Sequence, residues 1–420
     1  MAVCHHDQQC YVTTVVLVMC LWASSASAPG SAAAGCHGRG DAPVFSVEGA
    51  SLLFGNNLLV FEFDLATNGL VNITACDPIS GAYQGFSKPA PPPFSAPTKA
   101  RSAVPLWQLS LSALCKPPNA SSIQAGLRLD GLNAPTLSRG HALETADRHA
   151  TLTLVWVGAS VQTAQTQTIL VDVNVTIRMQ AESSTAELGA FVSKRGVGGF
   201  CLQTLALPNL EWIILRDRHD KLLVPHFFGH AGDLNDDDGV CYQGSCQLEL
   251  TNARALSDIA SGDLNLMPQG DERSMQFCAA WTENTAGGTG VPLGLYLGAH
   301  DNVGRLQLLT ATGQYEGSTS NPIGYRPPGN AGLRYYHLAD NLIDDSAGAD
   351  WCLAYPVVLA SFVGDWYDAA MLHRSWALRN ASWTMQGNLS VRAAGQPGYP
   401  HWLLQAPLWA NCVGYGADSH

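Results

Sequence analysis

The chain has 420 residues, of which 46% are hydrophobic and 13% are charged, and its formal net charge is −12 at pH 7. Ordinary soluble domains carry about 25% charged residues, so this chain is poor in charge and its balance is acidic. Such a surface repels a phosphate backbone, which excludes nucleic acid as a partner. The hydrophobic fraction is large enough for a sizeable core, in one very large β-domain or in two domains.

The first 28 residues have the pattern of a secretory signal peptide. Residues 11–22 form an apolar run of about 12 residues, which is shorter than the roughly 20 residues that cross a bilayer. Small residues follow this run, and Ala26-Ser27-Ala28 matches the A-x-A cleavage pattern. No later segment is long and apolar enough to span a membrane. We therefore expect a secreted, extracellular protein without a membrane span after signal removal.

Sequons and cysteines agree with this compartment. The chain has N-glycosylation sequons at Asn72, Asn119, Asn174, Asn380 and Asn388. Of the 12 cysteines, Cys241 and Cys246 close a short loop, and we predict a disulfide bond between them. The pairing of the other cysteines stays open. The sequence therefore predicts a glycoprotein with at least one disulfide bond.

Short β-type segments dominate the chain after the leader. They are residues 44–47, 58–63, 70–73, 150–157, 168–179, 212–215, 275–280, 294–298 and 305–309. Thr67-Asn68-Gly69 is a strong hairpin turn signal between two of them. In the segment 168–179, Val171, Val173, Val175 and Ile177 share one face, and Asn174 lies on the other. Since no alternation of strands and helices is present, we predict a mainly β fold with a large antiparallel architecture.

One helix is predicted after residue 364. Asp365 is a good N-cap residue, and Asp368 favours the positive end of the helix. The residues that follow place an apolar stripe along it, formed by Trp366, Ala369, Ala370, His373, Trp376 and Ala377. We expect this helix to pack between two bodies, with its tryptophans in the core.

The segment around this helix resembles a known family. Residues 355–378 read YPVVLASFVGDWYDAAMLHRSWAL, and residues 400–409 read PHWLLQAPLW. Both are similar to segments of the secreted glycoside-hydrolase-related family catalogued as domain of unknown function 6259. Residues 207–229 and 275–305 resemble its strands and loops as well, so the resemblance covers most of residues 45–409. It implies a galactose-mutarotase-like β-supersandwich that precedes a (β/α)8 barrel.

The resemblance also implies a domain plan. Residues 29–360 would form the β-supersandwich, 361–400 a linker helix and loop, and 401–420 the start of a barrel. A complete barrel requires roughly 250 residues, and its catalytic carboxylates would lie at the ends of its strands. For this reason no catalytic residue is transferred to this chain.

The expected function is the non-catalytic N-terminal part of a secreted carbohydrate-active protein, in a truncated copy that lacks the barrel. Two alternatives stay open. The chain could be a standalone carbohydrate-binding or structural module, or a mutarotase-like sugar epimerase. The sugar, the linkage and the oligomeric state are not determined by the sequence.

An epimerase would need an acid and a base on opposite sides of the sugar ring. The residues available for such a pair are His226, His230, His300, Glu211 and Glu283. Aromatic side chains that could stack on a sugar are Trp107, Trp156, Trp212, Trp281, Tyr296, Tyr335 and Tyr336. Nothing in the spacing selects a pair, and we expect most of the aromatic residues to be in the core.

Cofactor and metal motifs are weak. Residues Asp233 to Gly239 resemble a calcium-binding loop, but the glycine is one place late and Gly244 stands where the pattern needs glutamate. A solvated acidic turn is the better interpretation. The sequence has no phosphate loop, no recognised Cys/His metal spacing and no GxSxG nucleophile motif. We therefore predict no cofactor and no metal, and carbohydrate as the partner.

Overall fold

The computed structural model describes residues 2–4, 10–12, 44–77, 81, 83–86, 103–112, 127–146, 148–163, 168–195, 201–213, 220–224, 230–233, 246–250, 275–282, 292–303, 305, 307–314, 330–338 and 350–381. These residues form β-strands and one helix. The first strands are β1 (Ala2–Cys4), β2 (Cys10–Val12), β3 (Val44–Glu48), β4 (Ser51–Gly55), β5 (Leu59–Asp64), β6 (Leu70–Cys76), β7 (Tyr83–Gly85), β8 (Gln108–Ser112), β9 (Leu127–Asp130), β10 (Ser138–Ala146), β11 (His149–Gln162) and β12 (Thr168–Gln180).

The remaining elements are β13 (Thr185–Arg195), β14 (Cys201–Ile213), β15 (Asp220–Val224), β16 (His230–Asp233), β17 (Cys246–Leu250), β18 (Phe277–Thr282), β19 (Leu293–Ala299), β20 (Gln307–Gln314), β21 (Asn330–Leu338), β22 (Asp350–Cys352), β23 (Val357–Val363) and the helix α1 (Trp366–Asn380).

Three large sheets carry the fold. A ten-stranded sheet has the order β10-β11-β12-β13-β23-β19-β18-β15-β16, with β22 paired to β13. A six-stranded sheet has the order β17-β20-β21-β14-β8-β9, and a five-stranded sheet runs β3-β4-β5-β6-β7. The strands β1 and β2 form a separate two-stranded sheet. Every strand pairing within the described residues is antiparallel, so the predicted mainly β, antiparallel β-supersandwich fold class is confirmed.

The strand β12 shows why the sequence pattern was informative. Val171, Val173, Val175 and Ile177 are buried, and Asn174 lies on the half-exposed face. Successive side chains of a strand point to opposite faces, so alternation of apolar and polar residues marks one buried side. The hairpin turn is also confirmed, because Asn68 adopts the left-handed backbone conformation with a φ of 55°.

The strands β19 and β23 are buried on both faces instead. On β19, Leu295 and Leu297 belong to the main core, whereas Tyr296 belongs to a second, smaller core. The same alternation separates Leu359 from Ala360 on β23. A strand covered on both sides needs apolar residues throughout, which explains why residues 293–299 are apolar apart from glycines. The ten-stranded sheet therefore has a core on each of its faces at this point.

The main core joins all three large sheets. Phe61 of β5, Leu109 of β8 and Leu154 of β11 are fully buried within one hydrophobic cluster. Trp107 and Trp156 meet edge to face inside it, with ring centroids 5.5 Å apart. The indole of Trp156 donates a hydrogen bond of 2.8 Å to the carbonyl of Gly131, so its polar atom is satisfied in the core.

The smaller core lies between the ten-stranded sheet and α1. It consists of Leu223, Phe277, Ala279, Trp281, Tyr296, Val358, Ala360, Phe362 and Ala369. Only Ala369 of this cluster comes from the helix, and the partly buried Ala370 and Leu372 pack against it. His373 and Trp376 are the larger helix side chains that are buried. The helix therefore contacts the sheet through aliphatic side chains and through buried rings.

Within the described ranges, no helix is long and apolar enough to cross a membrane. The barrel start predicted for residues 401–420 lies outside the described residues, as does most of the leader. The domain boundaries therefore stay predictions.

Candidate functional site

Glycines on one face of β19 leave space for two aromatic rings. Gly294, Tyr296, Gly298 and His300 follow each other at every second position, so they share the face that points to α1. A methyl group at Gly298 would overlap the phenol ring of Tyr296, and one at Gly294 would overlap the ring of Phe362. The two glycines therefore make room for two rings, and Tyr296 lies flat along its own strand.

The Tyr296 hydroxyl lies between two histidines. It is 3.0 Å from Nε2 of His300, at the end of the same strand. It is also 3.4 Å from Nδ1 of His373, which comes from α1. Tyr296 is fully buried and His373 is nearly so. A phenol has one proton to donate, so it donates to one imidazole and accepts an N–H from the other.

Aromatic rings enclose this polar group. His300 stacks on Trp376 with a centroid distance of 4.5 Å, and His373 stacks on Phe277 at 4.8 Å. Phe277 also stacks on Tyr296 at 5.4 Å. The rings from β18, β19 and α1 thus stack on one another in one continuous cluster. We call Phe277, Tyr296, His300, His373 and Trp376 the ring cluster.

His300 and Tyr296 are uncharged at neutral pH. Burial and, to a smaller extent, the neighbouring His373 lower the pKa of His300 from 6.5 to about 3. Burial raises the pKa of Tyr296 well above its usual value, so the phenol keeps its proton. A base of such low pKa accepts a proton only in acid. The ring cluster therefore fixes the helix and is a poor proton-transfer pair at neutral pH.

The start of α1 is fixed by a capping box. The Asp365 carboxylate accepts a 2.8 Å hydrogen bond from the Tyr367 backbone N–H, and the Asp368 carboxylate accepts one of 3.0 Å from the Asp365 N–H. The predicted N-cap at Asp365 and the role of Asp368 are therefore confirmed. Gly364, with a φ of 119°, makes the sharp entry from β23.

Two aromatic side chains on this first turn face the solvent. Trp366 is 50% exposed and Tyr367 is 57% exposed. Their rings are perpendicular, with an interplanar angle of 89° and centroids 5.9 Å apart. We call this pair the aromatic corner. Among the Trp, Tyr and Phe residues whose side chains the structure describes, Trp366 and Tyr367 are the exposed ones.

The sequence assigned Trp366 to the buried stripe of the helix, and this was wrong. Ala369, His373 and Trp376 are buried as predicted, and Ala370 and Ala377 are half-buried. Trp366 is half exposed on the first turn of the helix, just after β23 ends at the exposed Val363. Helical periodicity identifies a face, but it does not show how far the partner surface extends.

Of the predicted epimerase residues, the structure describes Glu211, His230 and His300, and it places them on or next to different strands. His300 belongs to the ring cluster, whereas the backbone of His230 lies on β16, three strands away from β19 in the same sheet. Strands are spaced about 4.8 Å apart, so this separation is roughly 14 Å. Glu211 lies on β14, in the six-stranded sheet. His226 and Glu283 lie outside the described residues.

Most of the predicted sugar-stacking residues are in the interior. This set consists of Trp107, Trp156, Trp281, Tyr296 and Tyr335. Tyr336 is half-buried, and the side chain of Trp212 is outside the described part of the chain. The expectation that most of these rings belong to the core is confirmed. The exposed pair was missed because Trp366 was assigned to the buried stripe of the helix and Tyr367 was not singled out.

Only some of the predicted modification and metal sites lie within the described residues. Asn380 is exposed at the end of α1, and Asn72 and Asn174 are half-buried. Asn119, Asn388 and Cys241 lie outside the described residues, as do the side chain of Cys246 and residues 234–239 of the acidic turn. Glycosylation, the Cys241–Cys246 bond and calcium binding therefore stay predictions. Among the residues placed by the structure, no three His, Cys, Asp or Glu side chains are grouped to hold a metal ion.

Part of the chain is similar to a curated protein. No protein-family model matches, so the resemblance to domain of unknown function 6259 stays a prediction. A provisionally named glycoside hydrolase from Monosiga brevicollis is 30% identical over 134 residues, which is 31% of this chain and 10% of the relative. The chain thus spans a small part of the length of this relative.

Alignments with solved structures have low identity and low TM-scores. The α-N-acetylgalactosaminidase of Bifidobacterium bifidum in complex with GalNAc aligns with a TM-score of 0.42 and 10% identity, over 80% of this chain and 39% of the enzyme. The α-galactosidase of Lactobacillus brevis aligns with a TM-score of 0.38 and 8% identity, over 80% and 42%. A GalM/aldose epimerase homologue of C. elegans aligns with a TM-score of 0.32 and 10% identity, over 77% and 100%.

Proposed function

We propose that this chain is the β-supersandwich module of a secreted, carbohydrate-active protein of the glycoside-hydrolase type, and that the module binds sugar without hydrolysing it. The observation that carries the proposal is the 30% identity over 134 residues with the provisionally named glycoside hydrolase. The relative is much longer than the matched segment, so its activity as a whole is not transferred to this chain.

The chemistry of the ring cluster supports a binding or supporting role. Glycoside hydrolysis commonly uses two carboxyl groups on either side of the scissile bond. The ring cluster offers a phenol and two imidazoles instead, and the phenol and His373 are buried. The carboxylate next to it in sequence, Asp301, is fully buried and is paired with the Arg305 guanidinium at 2.7 Å. That carboxylate therefore has a structural partner already.

The finer parts of the proposal depend on sequence patterns. Membership of the family catalogued as domain of unknown function 6259 depends on residues 355–378 and 400–409. Secretion depends on the leader pattern, and glycosylation on the sequons. Asn380 is the sequon residue that is most open to solvent among those the structure describes. Treatment of the secreted chain with an amidase that removes N-glycans should lower its mass, and an unchanged mass would remove this part of the proposal.

The function is tested with the purified full chain. It is applied to an array of oligosaccharides and, separately, to a panel of 4-nitrophenyl glycosides. We expect saturable binding to at least one glycan and no release of nitrophenol. A chain that binds no glycan would overturn the proposal. Release of nitrophenol that scales with chain concentration would show that the module is itself an enzyme.

A further inference from the structure

We propose that the aromatic corner formed by Trp366 and Tyr367 is the sugar-contacting site of this module, and that its ligand is a neutral pyranose. This inference depends on the proposed function, because it names where that function is carried out.

Exposure selects these two rings. Trp366 is 50% exposed and Tyr367 is 57% exposed. The other large aromatic residues with described side chains are buried or half-buried. An aromatic ring on the surface leaves apolar area in contact with water, and a ligand that covers it releases that water. The apolar face of a pyranose can do so through C–H groups that contact the negative face of the ring.

The arrangement of the rings suits a single sugar. The interplanar angle is 89°, so the two rings are perpendicular. A pyranose that stacks on the face of one ring would contact the other ring with its edge. The capping box fixes the backbone of both residues, so less conformational freedom is lost on binding than at a flexible loop.

The surroundings favour a neutral ligand. Asp365 and Asp368 are exposed on either side of the aromatic corner, and their carboxylates can accept hydrogen bonds from sugar hydroxyls. The same two charges repel an acidic sugar, in agreement with the net charge of −12 for the chain. A uronic acid should therefore bind more weakly than the corresponding hexose.

The size of the aromatic corner argues against a protein partner. An aromatic side chain buries about 150–250 Å² when it is fully covered, and half of each ring is already buried here. A stable protein interface needs about 800 Å² on each partner. Charged residues, Asp365 and Asp368 on this turn and Arg374 further along, break up the surrounding surface. The exposed apolar area is thus suited to a ligand of one or two sugar rings.

The test compares the wild-type chain with Trp366→Ala/Tyr367→Ala. Binding to lactose, cellobiose and an oligogalacturonate is measured by calorimetry, with any glycan found on the array as a further probe. We expect the double variant to bind the neutral sugars at least about tenfold more weakly, because two stacking contacts are lost. The oligogalacturonate should bind more weakly than the neutral sugars to the wild-type chain.

Two further variants keep the experiment decisive. Leu378→Ala removes an apolar side chain that is 56% exposed on the same helix, and it should bind as the wild type does. Trp366→Phe keeps a stacking ring and should lose only a few-fold, which gives a result even if the double variant does not fold. Undiminished glycan binding by a folded double variant overturns the aromatic corner but leaves the proposed function in place. A wild-type chain that binds no glycan removes both.

A change of oligomeric state is also measured. If the double variant alters the mass of the particle in solution, the aromatic corner is an interface between copies of the chain, and the sugar site is wrong.

Discussion

At the scale of single residues, the ring cluster shows how burial sets chemistry. His300 and His373 share one hydroxyl, so protonation of either would place a charge in a space with little access to water. The low pKa of His300 is the consequence, with burial as the main cause and His373 as the second. His300, one of the residues available in the sequence for an acid–base pair, therefore anchors α1.

We expect this anchor to weaken in acid. The pKa of His300 is about 3 in the folded chain and about 6.5 in an unfolded one. The unfolded chain therefore binds more protons between these values, and the free energy of unfolding falls as the pH is lowered from 6.5 towards 3. His300→Gln keeps a hydrogen-bonding group but cannot titrate, so its stability should fall less over the same interval.

This difference is measured by urea unfolding at pH 7, 5 and 4. His149→Gln, a change at the start of β11 and away from α1, is the matched control. Equal losses of stability for the wild type and for His300→Gln would contradict the prediction.

At the scale of elements, the start of α1 and its position on the sheet have different causes. Its start is set locally, by Gly364, Asp365 and Asp368, and these could be identified from the sequence. Its position on the sheet is set by His373 and Trp376, whose partners on β18 and β19 are distant in the chain. Only the first of these causes is visible in a linear pattern.

Removal of the N-cap should loosen this helix. Asp365→Ala loses the hydrogen bond to the Tyr367 N–H and the negative charge at the positive end of the helix, which costs about 1 kcal/mol of stability. We expect faster hydrogen exchange in the first turn of α1, with smaller changes on β12. The measurement is hydrogen exchange read by mass spectrometry.

Asp350→Ala removes an exposed carboxylate from β22 and is the control for charge alone. If both variants exchange at the same rate in α1, the capping box does not stabilise the helix.

At the scale of the molecule, buried polar groups connect one sheet to another. The Asn56 amide donates hydrogen bonds to the carbonyls of Gln180 and Ser183, at 2.9 and 2.7 Å, which joins the β4–β5 turn to the β12–β13 turn. His337 of β21 contacts the Leu207 carbonyl of β14 at 2.7 Å and the Tyr355 hydroxyl near β23 at 2.9 Å. Such groups fix how the sheets lie against one another, because each has a defined partner in a buried position.

Asn56→Ala tests this connection. The variant loses two bonds to the neighbouring sheet and two more from the N–H groups of Leu58 and Leu59 to its own side chain. At a net value of about 1 kcal/mol for each bond, we expect a loss of roughly 2–4 kcal/mol. The free energy of unfolding in urea gives the value.

The control is Asn133→Ala, an exposed asparagine whose side chain bonds only locally, to Asp130 within the described contacts. It should change stability by less than about 1 kcal/mol. A loss for Asn56→Ala as small as that of the control would show that the turn contact is not stabilising.

The sequence by itself determined the fold class, the alternation of β12, the Asn68 turn and the cap of α1. Each of these depends on neighbours within a few residues, where spacing along the chain is also spacing in the structure. The tertiary structure alone decided which face of β19 meets α1, that Tyr296 lies between His300 and His373, and that Trp366 remains in water. Tyr296 and His373 are 77 positions apart, and their contact depends on the pairing of β19 with β18 and β23. The range of a local pattern is too short to specify that pairing.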